Sequence, residues 1–180
     1  IFAVHLKANV EDSLARAAEV DSLRKRTNAL PTNSNFIVLG DFNIYGSYEL
    51  AYQKLKNQSL PGYFIDPLNL VSTWNNSAYS QYHTQSPRTR AFGDGATGGM
   101  DDRFDMILMS QAIINSGGIT YVPGSYYAYG NDGNHFNDSI NKPPNTAVGQ
   151  AVANALHYAT DHLPVIASFS FGSSYLELSS

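Results

Sequence analysis

The segment Phe36-Ile37-Val38-Leu39-Gly40 restricts the fold more than any other, because its run without a polar side chain reads as a strand buried on both faces. Such a strand needs a layer on each face. Residues 1–6 alternate branched and aromatic side chains and read as one further strand. Residues 103–109 read as another, with Arg103, Asp105 and Ile107 on one face and Phe104, Met106 and Leu108 on the other. A last half-buried strand is expected over residues 165–169, with Pro164 tolerated at its start.

Between these lie helical patterns. Over residues 12–30, Leu14, Ala17, Ala18, Val20 and Leu23 recur at near-helical spacing, with Asp12 as N-cap, Arg24, Lys25 and Arg26 in the C-terminal half and Pro31 as the stop. Ser47 is placed to cap a second helix over 48–56, and a third is expected over 146–158. Residues 57–97 carry no clear period, whereas 117–145, rich in Gly, Asn, Pro and Tyr, are too long for a simple connection and suit a lid or specificity loop. Helices and strands interleave without the rhythm of a doubly wound sheet, which predicts a layered α+β architecture.

At 180 residues and 43% hydrophobic, the chain suits one domain with a substantial core, expected over 1–172 with 173–180 as a tail or linker. A net charge of −4 argues against indiscriminate gripping of nucleic acid. The absence of cysteine excludes disulfides, thiolate zinc sites and cysteine nucleophiles. No run approaches the roughly 18 to 20 apolar residues of a membrane span. The low charged fraction, 14%, with plentiful Tyr, Asn, Ser and Gly, leans toward an exported protein. Because the sequence opens directly in an apolar strand, it is expected to be the interior of a longer gene product.

The chemistry concentrates at strand ends. Asp161 and His162, in Thr160-Asp161-His162-Leu163-Pro164-Val165, pair a hard oxygen ligand suited to Mg²⁺ with the side chain that titrates nearest neutrality. Asp41 and Asn43 follow the buried strand two residues apart and can project together. There a carboxylate can orient or deprotonate a water and an amide can donate to a phosphate oxygen; an Asx-turn closing the strand is the plainer alternative. Asp105 pairs either with a catalytic group or with Arg103 in a surface ion pair. Arg88 and Arg90 are candidates to meet a substrate phosphate, and His135, in the long loop, is the candidate to overhang the site. His83 and His157 have no ligand spacing, Tyr121, Tyr126, Tyr127 and Tyr129 suit loop packing as well as base stacking, and adjacent Asp101 and Asp102 are expected on opposite strand faces.

Taken in order, Gly40-Asp41-Phe42-Asn43 after an apolar strand, Arg103-Phe104-Asp105 in a later one and Thr160-Asp161-His162-Leu163-Pro164-Val165 near the end resemble the endonuclease/exonuclease/phosphatase superfamily, the DNase I-like fold. Val4-His5-Leu6-Lys7 is similar to the superfamily strand that carries a catalytic histidine. The resemblance implies part of a two-layer β-sandwich flanked by helices, with the N-terminal portion of the fold absent from this chain. It implies Asp161 as metal ligand, with Asp41 orienting the water or contacting a second metal, and His162 as general base or phosphate binder held by Asp105. Asn43 would stabilise a phosphorane-like transition state and His5 would act on the leaving-group side. Mg²⁺ is the implied ion, with Mn²⁺ as substitute, since the ligands are hard oxygens. The implied activity is hydrolysis of a phosphate ester, nucleic acid or another phosphodiester, in a nuclease-like enzyme. The rivals are a phosphomonoesterase or lipid headgroup phosphodiesterase of inositol phosphatase or sphingomyelinase type, and a non-catalytic module. One departure stands out: the superfamily's Asn and Glu ligand from the N-terminal half have no counterpart, and Glu11, Glu19, Glu49 and Glu177 sit in unsuitable contexts. The missing N-terminal half is therefore an expected partner, covering a sheet face that would otherwise be an exposed apolar patch.

Overall fold

A computed structural model describes residues 1–115 and 118–172; the expected tail over 173–180, with Glu177, lies outside the described residues. The fold is α+β. Its centre is a three-stranded sheet ordered β1 (Phe2–His5), β2 (Ile37–Asp41), β3 (Asp105–Met109), parallel between β1 and β2 and antiparallel between β2 and β3. Gly40 stands opposite Val4 in this pairing: its φ is +132° and a Cβ would lie 2.0 Å from the Val4 carbonyl oxygen.

β2 lies between β1 and β3 but does not have the two equally buried faces its sequence predicts. Val38, Met106 and Leu108 are buried against α1 (Ser13–Asn28) and α2 (Leu50–Lys56) in the main core with Phe42, Trp74 and Leu55. Ile37, Leu39 and Ile107 are only half-buried, and with Val165, Ile166 and Phe169 they line an apolar groove of about 530 Å³.

The buried stripe of α1 also differs from the apolar pattern. Leu14 and Ala18 are exposed, and the inward face is Arg16, Ala17, Val20, Arg24 and Thr27. Two arginines can be buried there because their terminal nitrogens are engaged, although Arg24 Nε has no partner among the described residues. Arg16 pairs with Glu49 at 2.9 Å and donates to the Lys7 and Asn9 carbonyls, while Arg24 donates to carbonyls at and beyond the C-terminus of α2. Asp12 and Ser47 make no side-chain cap; Asp12 pairs with Lys7, and Ser47 Oγ accepts from Ser72 N.

The strand expected from 103 begins at Asp105, because Arg103 is drawn into the core. Its guanidinium forms a two-pronged ion pair with Asp66 at 2.8 and 2.9 Å between the rings of Trp74 and Tyr126. After α3 (Gln111–Ile114), the long irregular stretch includes β4 (Ile119–Tyr121) and β5 (Tyr127–Ala128). The helix expected from 146 starts at Gln150, as α4 (Gln150–Ala159), because Asn145 and Thr146 are held by loop hydrogen bonds. The run over 165–169 is not one strand. It divides into β6 (Val165–Ile166), paired with β5, and β7 (Phe169–Phe171), paired with β4.

Candidate active site

The registers align three ionisable side chains. His5 stands opposite Asp41 at the ends of the parallel pair, and Asp41 stands opposite Asp105 in the antiparallel pair. The row crosses one end of the sheet, on the face that carries Leu39 and Ile107. His5 Nε2 lies 3.4 Å from Asp41 Oδ2. Two carboxylates facing each other across a ladder repel, so a cation or proton donor must lie nearby.

His162 supplies it. Its Nδ1 donates to Asp105 Oδ2 at 2.7 Å, and its Nε2 is 3.8 Å from Asp41 Oδ2. It reaches the row because the 160–164 turn is tied down: His162 N donates to Thr160 Oγ1 at 3.0 Å, Leu163 N donates to the Thr84 carbonyl at 2.7 Å, and Leu163 packs with Met100 and Ile140. Burial pulls the His162 pKa down, but the Asp105 hydrogen bond and charge, aided by Asp41 and Asp161, leave it raised. Burial pushes the Asp41 carboxyl up, offset in part by the Asn43 N–H and His162.

Asn43 is buried with φ +49°. Its backbone N–H donates to Asp41 Oδ1 at 2.8 Å, so the Asx-turn is present. Its side-chain amide donates to the Leu6 carbonyl at 3.0 Å, leaving the second N–H of that amide for another acceptor. The turn and the proposed chemistry are thus compatible readings of the same residues.

Asp161 lies on the rim. Its Oδ2 accepts from Ala96 N at 2.7 Å, and a Cβ on Gly95 would come 2.6 Å from that oxygen. Burial raises the Asp161 pKa, yet backbone hydrogen bonds, chiefly from Ala96, and the charges of His162 and Arg88 bring it below the ordinary value. Together His5, Asp41, Asn43, Gln85, Asp105, Asp161 and His162 line an open pocket of about 410 Å³.

Other candidates lie elsewhere. Arg88 is buried and turned inward, donating to the Asp94 and Ala96 carbonyls and stacking on Phe92, so it shapes the loop beneath Asp161 instead of facing the pocket. Arg90 is exposed on that loop. His135 is buried with Nδ1 on Asp132 at 2.9 Å and Nε2 on the Lys142 carbonyl at 2.8 Å, and does not overhang the pocket. His83 and His157 are buried against backbone carbonyls, and Tyr126 packs on Arg103. Asp101 and Asp102 precede β3 and still act on each other: burial, then the Asp101 charge, pushes the Asp102 carboxyl up to about 7. Glu49, buried on Arg16, and Glu19, which accepts from Lys7 N, are both spoken for.

Gln85 is the pocket residue that sequence patterns did not indicate. It lies in a segment without period, His83-Thr84-Gln85-Ser86-Pro87, whose burial no alternation announces. Its polar side chain gave no motif either.

Neither a protein-family model nor a curated protein matches the chain. Among solved structures, a D. rerio TDP2 humanized by 14 mutations shares the fold, with a TM-score of 0.52 at 16% identity over 93% of this chain and 53% of that one. A functionally unknown conserved protein from Enterococcus faecalis V583 gives 0.47 at 17% identity over 94% of this chain and 49% of that one. The human Nocturnin catalytic domain gives 0.45 at 19% identity over 94% and 46%. The shared fold rests on the first. The chain spans about half the length of each of these structures.

Proposed function

We propose that this chain carries most of the active site of a phosphoesterase of the endonuclease/exonuclease/phosphatase superfamily, acting on a phosphodiester. The observation that supports it best is the in-register row His5, Asp41, Asp105 facing His162, whose Nδ1 is held by Asp105 at 2.7 Å. A carboxylate only accepts at this site, so the proton of the neutral ring sits on Nδ1. The Nε2 lone pair is then on the side of the ring that faces the pocket, as a general base requires. Asp41 orients the attacking water, the spare N–H of Asn43 donates to a phosphoryl oxygen, and His5, 76% exposed in its side chain, is free to meet the leaving group.

Mg²⁺, or Mn²⁺ in its place, belongs to this reading as a property of the complete protein. Among the described residues no group of three or more His, Asp or Glu could hold a metal ion, so these residues do not form a metal site by themselves. Asp161, whose Oδ2 accepts from Ala96 N, would contribute one hard oxygen, and Asp41 a second. A bound ion would polarise the phosphoryl oxygen. The half-open groove along Leu39, Ile107 and Val165, and the half-length match to TDP2, support a second sheet in the complete protein that closes a two-layer sandwich over this face. A low charged fraction with plentiful Tyr, Asn, Ser and Gly supports an exported protein, and among the described residues no helix is long and apolar enough to cross a membrane.

The test is hydrolysis of bis(p-nitrophenyl) phosphate and p-nitrophenyl phosphate by the full-length protein, with Mg²⁺ and with chelator. Diester hydrolysis lost on chelation is expected. Turnover of the monoester alone favours the phosphomonoesterase reading, and no turnover of either ester, with DNA also uncut, defeats the proposal.

A further inference from the structure

His162 has a second partner that the roles above do not use. The side-chain amide nitrogen of Gln85 lies 2.5 Å from His162 Nε2, on the side of the ring opposite Asp105. With the ring proton on Nδ1, Nε2 accepts and the Gln85 amide donates. No second hydrogen bond engages the Gln85 side chain among the described residues, so this carboxamide is committed to the imidazole.

The backbone of Gln85 is fixed without help from its side chain. Gln85 N donates to the Asp102 carbonyl at 3.1 Å, and its own carbonyl accepts from Asp101 N and Asp102 N at 2.9 and 3.0 Å. It also forms a β-bridge to His162. One residue earlier, Thr84 Oγ1 accepts from Phe104 N and Asp105 N while the Thr84 carbonyl accepts from Leu163 N. Thr84 and Gln85 therefore splice the start of β3 to the 160–164 turn. That places one polar side chain across the pocket from Asp105.

We infer that Gln85 is a positioning residue for His162: clamped on a rigid backbone, its carboxamide fixes the ring plane from the Nε2 side and occupies, in the free site, the place a water or substrate oxygen must take. This rests on the reading of His162 as general base. A ring held at both nitrogens is already aimed when substrate arrives, and the cap must then yield Nε2 by rotation of its side chain alone. Loss of the cap therefore removes pre-organisation and also removes a competitor for Nε2. The first lowers kcat, and the second keeps KM from rising.

The experiment uses the full-length protein and Gln85→Met, which keeps the length and volume of the side chain without its N–H. Steady-state hydrolysis of bis(p-nitrophenyl) phosphate should show kcat lower by about three- to tenfold, the scale of one neutral hydrogen bond, with KM equal or lower. Unchanged kcat overturns the inference, as does a raised KM with kcat intact, which would make Gln85 a simple substrate contact. In parallel, the ¹⁵N resonances of the His162 ring are recorded without substrate. The Nε2 resonance should move in Gln85→Met while Nδ1 stays, and an unmoved Nε2 resonance overturns the inference whatever the kinetics. A wild type that hydrolyses no phosphate ester, with the Nε2 resonance moving as expected, defeats the phosphoesterase reading and leaves the Gln85 contact standing.

Discussion

Asp105→Asn separates catalysis from stability at this site. The carboxylate receives Nδ1–H of His162 at 2.7 Å, a distance typical of a charge-assisted bond, and such bonds contribute about 1.5–3 kcal/mol. If that strength serves the transition state, its loss lowers kcat by roughly ten- to a hundred-and-fifty-fold, since about 1.4 kcal/mol is a factor of ten. The asparagine can also turn its NH₂ toward Nδ1, which moves the ring proton to Nε2 and removes the base's lone pair. That makes the upper end, or beyond it, the expected result. Stability should move the other way. Asp105 faces Asp41 across the ladder and its charge is one of the influences raising the Asp41 carboxyl, so removing it relieves repulsion. The assay is kcat with bis(p-nitrophenyl) phosphate beside the urea midpoint at pH 7. Expected are a fall of at least tenfold and a midpoint unchanged or higher. Activity within threefold of wild type, with the fold intact, would refute the assignment of Asp105 to His162.

Other consequences can be checked independently. Asp66→Ala leaves the fully buried Arg103 guanidinium without its partner and should cost about 3–5 kcal/mol by urea unfolding, whereas Asp66→Leu with Arg103→Met should recover most of it. A loss below about 1 kcal/mol for the single change would show that the pair is not the lock at the start of β3. The Asp102 carboxyl is held at about 7 in the fold against 3.8 ordinarily, so the stability it contributes as an acid is complete below about pH 4 and lost as pH rises through 7. Asp102→Asn should therefore have the same melting temperature as wild type near pH 4 and a higher one at pH 8, by the equivalent of about 1–2 kcal/mol after discounting for solvent screening. A difference that is constant across pH would contradict the assigned cause. Gly95→Ala, at φ +106° with a Cβ 2.6 Å from Asp161 Oδ2 and 2.5 Å from Arg88 Nη2, should displace Asp161 and lower activity at least tenfold. Wild-type turnover in that variant would show that the loop does not set Asp161.

The parts of this protein legible in its sequence are those governed by local pattern. β1 to β3 follow from alternation and apolar runs, but the juxtaposition of His5, Asp41 and Asp105 was implied only by the family resemblance, since no local pattern fixes which strands pair or in what register. What sequence could not show is which charged side chain finds which partner in space. Arg103 and Asp105 are two residues apart, yet one is drawn to Asp66 inside the core and the other to His162 at the surface. Arg88 looked like a phosphate contact because its charge is visible and its burial is not; its guanidinium donates to the carbonyls of its own loop. The apolar stripe of α1 was obscured because its inward face holds Arg16 and Arg24, whose burial makes sense only once Glu49 and the carbonyls at the end of α2 are present. The run after Pro164 reads as one strand, but its two halves pair with different partners from the long loop, a long-range choice with no local signal.

The central claim is that His162 performs the proton transfer in hydrolysis of a phosphate ester. It is tested most directly by the single-turnover rate of the full-length protein and its His162→Ala variant on bis(p-nitrophenyl) phosphate at saturating enzyme. The account predicts a fall in the chemical step of at least about a hundredfold in a variant that still folds. A fall of only a few-fold, in a variant that is fully folded, would contradict it.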